Sequence, residues 1–509
     1  MYAKTFGATT NGINGEEIIV EVDVAQGLPN FDIVGLPDTA VRESRGRVKA
    51  AIKNAGFIFP DTRVIVNLAP ADLKKDGSGL DLPIAIGILL ATGQIINRKA
   101  AACIFTGELA LDGAIRPVPG VLPMILKAKE LNRDAVFIPR ENRGEGVLVD
   151  GIAIYAASNL REIIDFFEEG IELELLENKD VNWQEEENYA YDFSDVQGQF
   201  QAKRALEIAA AGGHNVLMSG PPGSGKTMLA KRLPSILPPM TETEAMEVTK
   251  IYSISGLCKR QQVLMLKRPF RSPHHTISDR ALIGGGKIPK PGEVTLSHNG
   301  VLFLDELPEF TRGALEVLRQ PLEDGVVTIS RVQATLTYPA NFILISAENP
   351  CPCGYFGERD RTHPCTCKPG DVDRYHRKIS GPLLDRFDIQ IHVPKLEYKE
   401  IKNSLPMEKS ADIRSRVIRA RKLQQERLKN TSGCYCNGKL GHKEIKIFCH
   451  LTTEAEKLLE QAFNALGLSA RSHDRIIKVA RTIADLAGTE EIRGEHIAEA
   501  IQLKTRESK

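Results

Sequence analysis

A phosphate-binding signature lies between a short apolar run and a helical pattern, and it limits the chain to folds in which a strand turns directly into a helix. Its residues are Gly220, Pro221, Pro222, Gly223, Ser224, Gly225, Lys226 and Thr227, which fit G-x-x-x-x-G-K-[ST] without a mismatch. Residues 215–218 predict a buried strand before the signature, and residues 228–237 predict a helix after it. This junction is the structural context that a P-loop requires, and it indicates an α/β fold.

The residue types in this signature suit polyphosphate binding. Glycines let backbone N–H groups converge on a polyphosphate, and the N-terminus of the following helix adds a favourable dipole. Lys226 is expected to neutralise charge on the β- and γ-phosphates, and Thr227 to offer its hydroxyl to Mg²⁺. We therefore predict a nucleotide site with Mg²⁺; the alternative is a glycine-rich turn that binds nothing.

An acidic pair follows a second apolar run. Residues 300–304 predict a buried strand that ends in Asp305 and Glu306. Asp305 is expected to hold Mg²⁺ through water, and Glu306 to polarise the attacking water. A third predicted strand, residues 342–346, leads to Asn349, which is expected to orient that water near the γ-phosphate. These residues together predict hydrolysis of the nucleotide.

Two arginines are further candidates for contact with the nucleotide. Arg386 lies in a polar turn, where it is either an arginine finger that reaches a neighbouring subunit's site or an ordinary solvated or ion-paired residue. Arg471 begins a predicted helix, and a cation at that position opposes the helix dipole. We interpret Arg471 as a γ-phosphate contact, with a solvated arginine as the alternative.

The charge composition argues against a general affinity for nucleic acid or membranes. Lys plus Arg number 66 and Asp plus Glu number 66, so a polyanion contact must come from a local patch. The first fifteen residues lack the pattern of a signal peptide. The longest apolar stretch, Leu82 to Ile96, is too short to span a bilayer and favours a core helix. We expect a soluble, cytoplasmic protein with no membrane partner.

Four cysteines are concentrated in one loop rich in proline and glycine. Cys351, Cys353, Cys365 and Cys367 form two C-x-C pairs. Four thiols in a cytoplasmic loop too short for its own apolar core favour structural Zn²⁺ in a tetrahedral site. Since C-x-C is tighter than the usual C-x-x-C spacing, free thiols and redox-formed disulfides remain alternatives.

The length of 509 residues predicts about three domains. Residues 1–170 alternate strand and helix patterns and predict an α+β domain, and the acidic segment 171–190 predicts an exposed linker. Residues 191–395 hold the nucleotide motifs. Residues 396–509 are helical in pattern, with helices predicted at 412–429, 453–466, 471–487 and 494–503.

These motifs in this order, with residues 195–199 before the P-loop, resemble the AAA+ ATPases. Longer segments resemble the magnesium-chelatase-like ATPases of the ComM/YifB group. The segments are residues 268–275, 284–293, 302–310, 349–354 and 380–388, and, upstream, residues 35–38, 67–72 and 107–109. The resemblance covers nearly the whole chain and implies an AAA+ P-loop core with an α-helical lid.

The resemblance also implies a role for each motif residue. It makes Lys226 and Thr227 the Walker A pair for ATP, Asp305 and Glu306 the Walker B pair, Asn349 sensor 1, Arg386 the trans-acting finger, and Arg471 sensor 2. Arg319 and Arg374 are alternatives for the finger, because they also lie in turns. A finger that acts in trans implies a ring, and AAA+ relatives are usually hexamers.

Residues 1–170 resemble the Lon-protease catalytic fold, which is of the ribosomal S5 domain 2-like type. Here Ser78 is displaced from the position of the Lon serine, and Pro123 stands where the catalytic lysine is expected. Ser78 can act only if Lys74, Lys75 or Lys127 reaches it. The expectation is a retained fold without protease activity, which leaves a role in assembly or partner binding.

Better-studied members of this family are similar to ring helicases that migrate DNA branches during the uptake and recombination of incoming DNA in competence. Residues 268–292 predict a phosphate-contacting loop, with a solvated loop as the alternative. Its basic residues are Arg268, Arg271, Arg280, Lys287 and Lys290. Residues 326–336 predict a β-hairpin with Arg331 near its tip. His274 and His275 are either phosphate contacts or structural hydrogen-bonding residues.

Three functions therefore compete. The first is a hexameric, ATP-driven motor that binds single-stranded or branched DNA. The second is the ATPase subunit of a magnesium chelatase, and the Lon-like domain argues against it. The third is a protein-remodelling ATPase or ATP-dependent protease, and the displaced serine weakens it. We predict the first.

Overall fold

The computed structural model describes residues 1–75, 77–177, 183, 189–258, 263–286, 289–331, 334–357, 363–396, 407–431 and 434–504. Two main sheets flanked by helices, followed by a helical C-terminal part, confirm the predicted α/β class. In the parts of the chain given above, no helix has both the length and the apolar character needed to cross a bilayer.

The N-terminal part is built on a mixed sheet of eight strands. In spatial order they are Glu174–Leu175, Ala153–Ala157, Ala135–Pro139, Ile104–Phe105, Tyr2–Asn11, Asn14–Ala25, Arg63–Ala69 and Asn30–Val34. A two-stranded ribbon joins Glu108–Leu109 to Ile115–Arg116. The α-helices are Thr39–Asn54, Asp81–Ala91, Val121–Glu130, Arg143–Gly146 and Leu160–Glu168, and 3₁₀ turns span Arg98–Ala102 and Arg140–Asn142.

The predicted apolar core helix is present as Asp81–Ala91, and every residue in it except Leu90 is buried. It packs directly on the sheet because Gly87 has no side chain. A Cβ atom on Gly87 would lie 2.7 Å from Cγ2 of Val22. The helix is apolar around its circumference because the sheet and other elements of the N-terminal core surround it.

The N-terminal sheet continues a few residues beyond residue 170, the predicted end of this domain. Strand Glu174–Leu175 adds to the edge of the N-terminal sheet, and the N–H of Leu176 donates to the carbonyl of Ile154 at 2.8 Å. Because the segment is acidic, its composition did not indicate this short strand. Of the predicted linker, residues 178–182 and 184–188 lie outside the described residues, and Trp183 packs against a cluster around Met240.

The central part is built on five parallel strands. Their spatial order is Phe270–Arg271, Val301–Leu304, Ile343–Glu348, Val216–Ser219 and Ile389–His392. Short ribbons pair Gly284–Gly285 with Lys290–Pro291 and Val326–Arg331 with Ala334–Pro339. The helices are Phe200–Gly212, Lys226–Ile236, Glu242–Ile254, Asp279–Ile283, Glu293–Leu296, Arg312–Glu316, Arg319–Asp324, Pro369–His376 and Gly381–Leu384, with 3₁₀ turns at Phe193–Asp195 and Leu307–Glu309.

The C-terminal part is helical, as predicted, but it is not separately packed. Its helices are Ser410–Leu428, His442–Phe448, Thr453–Leu466, Ala470–Ala487 and Gly494–Gln502, with a 3₁₀ turn at Asn437–Lys439. One continuous apolar core contains residues from these helices and from the five-stranded sheet. Buried His214 and Thr482 share a hydrogen bond of 2.8 Å across the junction. Movements of this part are therefore coupled to the sheet.

A buried carboxylate joins the N-terminal part to the central part. Glu145 is 4% exposed and accepts hydrogen bonds from the N–H of Leu122, from Asn142 Nδ2 and from the hydroxyl of Ser253. Ser253 lies on helix Glu242–Ile254, and its carbonyl accepts a hydrogen bond from Gly120 at 3.1 Å. Burial raises the pKa of the Glu145 carboxyl, and these hydrogen bonds only partly oppose the rise.

The raised pKa of Glu145 makes its contribution to stability dependent on pH. It is fully present below the ordinary glutamate pKa of 4.5 and is lost as pH rises through the higher pKa of the folded state. Glu145→Gln removes this titration. We expect the free energy of unfolding of the variant, relative to wild type, to improve between pH 4.5 and pH 7.5 in denaturant titrations. A difference that does not change with pH would contradict this assignment.

Candidate nucleotide-binding and hydrolysis site

The P-loop connects strand Val216–Ser219 to helix Lys226–Ile236 at the carboxyl edge of the five-stranded sheet. Gly223 and Gly225 adopt positive φ angles of 77° and 91°, which residues with side chains rarely adopt. The N–H of Gly220 donates to the carbonyl of Glu348 at 3.2 Å, so the loop is attached to the neighbouring strand. This arrangement confirms the predicted strand, loop and helix.

Lys226 points into the loop that it follows. It is 7% exposed, and its ammonium donates to the carbonyls of Gly220 at 2.6 Å and Pro221 at 2.9 Å. Oδ1 of Asn349 accepts a further hydrogen bond at 3.4 Å. The structure thus brings together Lys226, which follows the P-loop, and Asn349, which follows strand Ile343–Glu348. A polyphosphate in the loop can replace these neutral acceptors with charged oxygens, which form stronger hydrogen bonds with an ammonium.

Thr227 and Asp305 are in direct contact. The threonine hydroxyl donates to Oδ2 of Asp305 at 2.6 Å, so the helix after the P-loop is joined to the end of strand Val301–Leu304. A hydroxyl and a carboxylate are the oxygen ligands that Mg²⁺ prefers, usually together with water and phosphate oxygens. The residues present therefore fit the predicted Mg²⁺ site.

Glu306 follows Asp305 in a left-handed backbone conformation, with φ at 52°. Its N–H donates to Oδ1 of Asp305 at 3.0 Å, and the Glu306 side chain is half exposed. Nδ1 of His275 lies 3.3 Å from Oε2 of Glu306. Of the two predicted interpretations for His275, the structure therefore favours a hydrogen-bonding role. His275 belongs to the loop that follows strand Phe270–Arg271, so this loop contacts the proposed catalytic carboxylate.

Tyr375 also lies at this edge, and no sequence motif marks it. Tyr375 is 5% exposed on helix Pro369–His376. Burial raises the pKa of its phenol, and the nearby carboxylates of Glu309, Glu348 and Glu306 raise it further. The backbone of Asn349 hydrogen-bonds the phenol. A tyrosine inside a short helical pattern is usually a core residue, so only the fold reveals this position.

Arg386 lies at the opposite edge of the sheet. Asn215, just before strand Val216–Ser219, donates from Nδ2 to the carbonyl of Arg386 at 3.0 Å. The P-loop begins at the other end of that strand, about 13 Å away at 3.3 Å per residue. The Arg386 guanidinium is 6% exposed and pairs with Glu323 and the carbonyl of Pro382. The structure does not bring Arg386 to the P-loop of its own chain.

Arg471 lies near Arg386. Arg475, one turn further along the same helix, places Nε 3.6 Å from Oδ1 of Asp388. Burial lowers the pKa of Arg386, and the positive charges of Arg319, Arg475 and Arg471 lower it further. The alternatives for the finger also have partners: Arg319 pairs with Glu316 at 2.8 Å, and exposed Arg374 with Asp371 at 3.5 Å.

Asp388 joins the turn of Arg386 to the C-terminal helices. Burial opposes its ionisation, but a hydrogen bond from His214 and the positive charges of His214, Arg475 and Lys478 outweigh burial. These interactions lower its pKa to about 2. The N–H of Asn215 donates to Oδ2 of Asp388 at 3.2 Å. This carboxylate therefore holds the amino edge of the sheet against helix Ala470–Ala487.

The four loop cysteines come together, as their clustering predicted. Their Sγ atoms all lie within 4.8 Å of one another, with 3.3 Å between Cys351 and Cys353, 3.7 Å between Cys351 and Cys365, and 3.5 Å between Cys353 and Cys365. A tetrahedral site with Zn–S bonds of about 2.3 Å requires sulfur separations of about 3.8 Å. The donor set and its dimensions therefore fit Zn²⁺, and all four cysteines are free thiols in this structure.

The predicted phosphate-contacting loop is only partly available. Arg268 pairs with Glu244 at 2.9 Å, and Arg271 forms two hydrogen bonds with Glu293, at 2.6 and 2.7 Å. Both guanidinium groups are therefore ion-paired within the chain, and their contact with DNA stays a prediction. Arg280 and Lys290 are exposed. Lys287 lies outside the described residues.

The predicted hairpin is present, with strands Val326–Arg331 and Ala334–Pro339. The connecting residues 332 and 333 lie outside the described residues, and so does the side chain of Arg331. The second strand extends three residues beyond the predicted end at Leu336. The hairpin packs through Val327, Ile329 and Tyr338 against the core of the central part.

The displaced serine of the N-terminal part has a carboxylate partner. The Ser78 hydroxyl donates to Glu108, and Arg116 lies 3.6 Å from that carboxylate. Two of the lysines considered for Ser78 bond elsewhere: Lys75 donates to the carbonyl of Pro70, and Lys127 pairs with Glu130. The structure therefore shows a Ser–Glu contact where a Lon-type Ser–Lys pair would be needed.

Comparisons with known proteins agree along the chain. Three family profiles match: "Magnesium chelatase, subunit ChlI" at residues 192–401, "Subunit ChlI of Mg-chelatase" at residues 20–142, and "Magnesium chelatase, subunit ChlI C-terminal" at residues 407–504. Competence protein ComM of Haemophilus influenzae is 44% identical over 98% of this chain and 96% of its own. YifB of Escherichia coli is 43% identical over 97% and 95%. Lon protease 2 of Bacillus subtilis is 28% identical over 29% of each chain.

Two substitutions separate nucleotide binding from hydrolysis. Lys226→Ala is expected to lose nucleotide affinity, whereas Glu306→Gln is expected to retain ATP while turnover falls by about 10²–10⁴-fold. Nucleotide binding by fluorescence titration and phosphate release measure the two effects. Lys231→Ala, on the exposed side of the same helix, is the matched control and should behave as wild type. Normal turnover by Glu306→Gln would refute its assignment as the catalytic base.

Proposed function

The chain belongs to the ComM/YifB family of magnesium-chelatase-type ATPases, and on this premise we propose that it is a cytoplasmic, ATP-driven ring motor that remodels DNA. The observation that carries the proposal is the division of the candidate site between two edges of one sheet. Lys226, Thr227, Asp305 and Asn349 meet at the carboxyl edge, and Arg386 lies at the amino edge. One chain therefore holds an incomplete site.

The groups at the carboxyl edge have complementary tasks in hydrolysis. The Lys226 ammonium is placed to bind the β- and γ-phosphate oxygens. Thr227 and Asp305 would hold Mg²⁺, which when bound would supply positive charge beside these phosphates. Glu306 accepts the proton of the attacking water. The Asn349 amide orients that water, and Tyr375 supports the Asn349 backbone.

Assembly into a ring completes this site. A ring brings the amino edge of one protomer to the carboxyl edge of the next, as heterologous interfaces do. Arg386 and Arg471 would then both face the γ-phosphate held by the neighbour. This placement accounts for the cluster of guanidinium groups around Arg386, which lies away from the P-loop of its own chain. We propose a hexamer, the usual number in AAA+ rings.

Two features support DNA as the substrate of the motor. The relative with 44% identity is named for competence, and it aligns with 98% of this chain. Arg280 and Lys290 are exposed on the loop that also carries His275. Because His275 contacts Glu306, a polyanion that displaces this loop changes the surroundings of the catalytic carboxylate. DNA binding and hydrolysis would thus share one physical connection.

We also propose that the cysteine cluster holds one structural Zn²⁺. Sulfur separations of 3.3–3.7 Å are close to those of a tetrathiolate site and far from the S–S bond of about 2.05 Å in a disulfide. A metal ligand must be a thiolate, so metal binding by this cluster would release protons and depend on pH.

DNA should stimulate ATP hydrolysis, and the stimulation should weaken steeply as salt is added. Arg280→Ala/Lys290→Ala is expected to raise the DNA concentration for half-maximal stimulation by about tenfold and to leave turnover without DNA unchanged. Single-stranded, duplex and forked DNA are compared in phosphate-release assays at two salt concentrations.

The matched control is Lys443→Ala/Lys457→Ala, which removes two exposed positive charges from the C-terminal helices. It should respond to DNA as wild type does. Turnover that ignores every DNA offered would refute the DNA-motor proposal. Stimulation by a protein partner alone would favour the chelatase-type or protein-remodelling function.

Mixed rings test the shared site. Lys226→Ala supplies fingers without binding nucleotide, and Arg386→Ala binds nucleotide without a finger. Random mixing of equal amounts pairs an intact P-loop with an intact finger at about a quarter of the interfaces, so activity should return to about a quarter of wild type. The double variant Lys226→Ala/Arg386→Ala, mixed with either single variant, should restore nothing. Mixtures as inactive as their components would show that Arg386 acts within its own chain or not at all.

A further inference from the structure

The cysteine cluster lies against the nucleotide site through three separate connections. We propose that metal bound by these four thiols controls nucleotide affinity, so that metal and nucleotide bind this chain cooperatively. The inference rests on the proposed function for the nucleotide and zinc sites. It adds a regulatory link between them that neither site requires by itself.

The first connection precedes the cluster. Cys351 is fully buried and follows Asn349 and Pro350 directly. Asn349 accepts a hydrogen bond from Lys226, and the preceding residue, Glu348, accepts one from the N–H of Gly220. A metal that fixes Cys351 therefore also limits the positions of the residues that hold the P-loop and its lysine.

The second connection is inside the cluster. Gly354 follows Cys353 and adopts a φ angle of 89°, and its N–H donates to the carbonyl of Cys351 at 3.0 Å. A Cβ atom on Gly354 would lie 2.6 Å from Cδ of Pro222, which belongs to the P-loop. The cysteine loop is thus packed against the phosphate-binding loop, with no room for one additional methyl group.

The third connection follows the cluster. Cys367 leads within two residues into helix Pro369–His376. From this helix, Nε2 of His376 donates to the carbonyl of Pro350 at 3.0 Å, and the Tyr375 phenol meets the backbone of Asn349. Both ends of the segment between Cys351 and Cys367 therefore touch the residues around Asn349.

Bound metal would hold Cys351 and Cys367 close together. Without the metal, the four thiols are no longer held to a common centre, and the contact of Gly354 with Pro222 is no longer enforced. A site that is ordered by one ligand binds the other ligand more tightly, and the coupling must be reciprocal. Couplings of this kind usually change affinity about tenfold, within a range of roughly 5–150-fold.

The experiment measures both directions of the coupling on the purified full chain. Zinc content is determined first by elemental analysis, and one zinc per chain is expected. ADP affinity is then compared before and after treatment with a zinc-selective chelator, with Mg²⁺ kept in excess. We expect ADP to bind about tenfold more weakly after zinc removal, and saturating ADP to raise the chelator concentration that removes half of the zinc.

Two glycine variants test the contact without touching a thiol. Gly354→Ala and Gly357→Ala both place a side chain at positive φ in the same loop, but a Cβ on Gly357 would meet nothing within 4 Å. Both variants should retain zinc. Only Gly354→Ala should weaken ADP binding, because only its methyl group displaces Pro222. Calorimetric titration with ADP gives the comparison.

The inference is overturned if the chain holds no zinc, if ADP affinity is unchanged by zinc removal, or if the two glycine variants bind ADP equally. A chain without zinc would refute the proposed zinc site together with the coupling, whereas the other two results refute the coupling alone. Untreated chain that binds no nucleotide would refute the ATPase itself. Turnover indifferent to DNA would refute the motor and leave the coupling between zinc and nucleotide intact.

Discussion

Parallel pairing of strand Val216–Ser219 with both of its neighbours determines where every functional group of this chain lies. Val216 is level with Ile345 on one side and with Ile389 on the other. Because the strands run in the same direction, the P-loop, Asp305 and Asn349 emerge at one edge, and Arg386 enters at the other. The same hydrogen-bonded ladder that builds the core therefore separates the phosphate-binding groups from the arginines.

Much of the catalytic edge could be predicted from sequence, because its signals are local. The spacing of Lys226 and Thr227 and the apolar run before Asp305 depend only on neighbours along the chain. The ion pairs of Arg268 and Arg271 could not be predicted from spacing, since their carboxylate partners lie on helices Glu242–Ile254 and Glu293–Leu296. Tyr375 reaches the site only after the cysteine loop has folded back, and no spacing rule anticipates that contact.

The domain boundaries were harder to predict than the domains themselves. Residues 174–175, one acidic and one apolar, nevertheless form a strand at the edge of the sheet. They pair there because strand Ala153–Ala157 would otherwise leave its backbone hydrogen-bonding groups unpaired on that side. The apolar periodicity of the C-terminal helices predicted the helices and their buried faces. It did not predict which part of the protein those faces pack against. Here that face joins the core of the central sheet, so the predicted lid and the ATPase part form one packed unit.

The carboxylate of Asp388 has a consequence for how neighbouring protomers exchange information. It is bound to Asn215 at the start of a central strand and to Arg475 on helix Ala470–Ala487, two residues away from Arg386 in sequence. A shift of that helix would therefore also move the backbone next to Arg386. In the ring proposed above, a change in the conformation of one protomer would reach the nucleotide held by its neighbour.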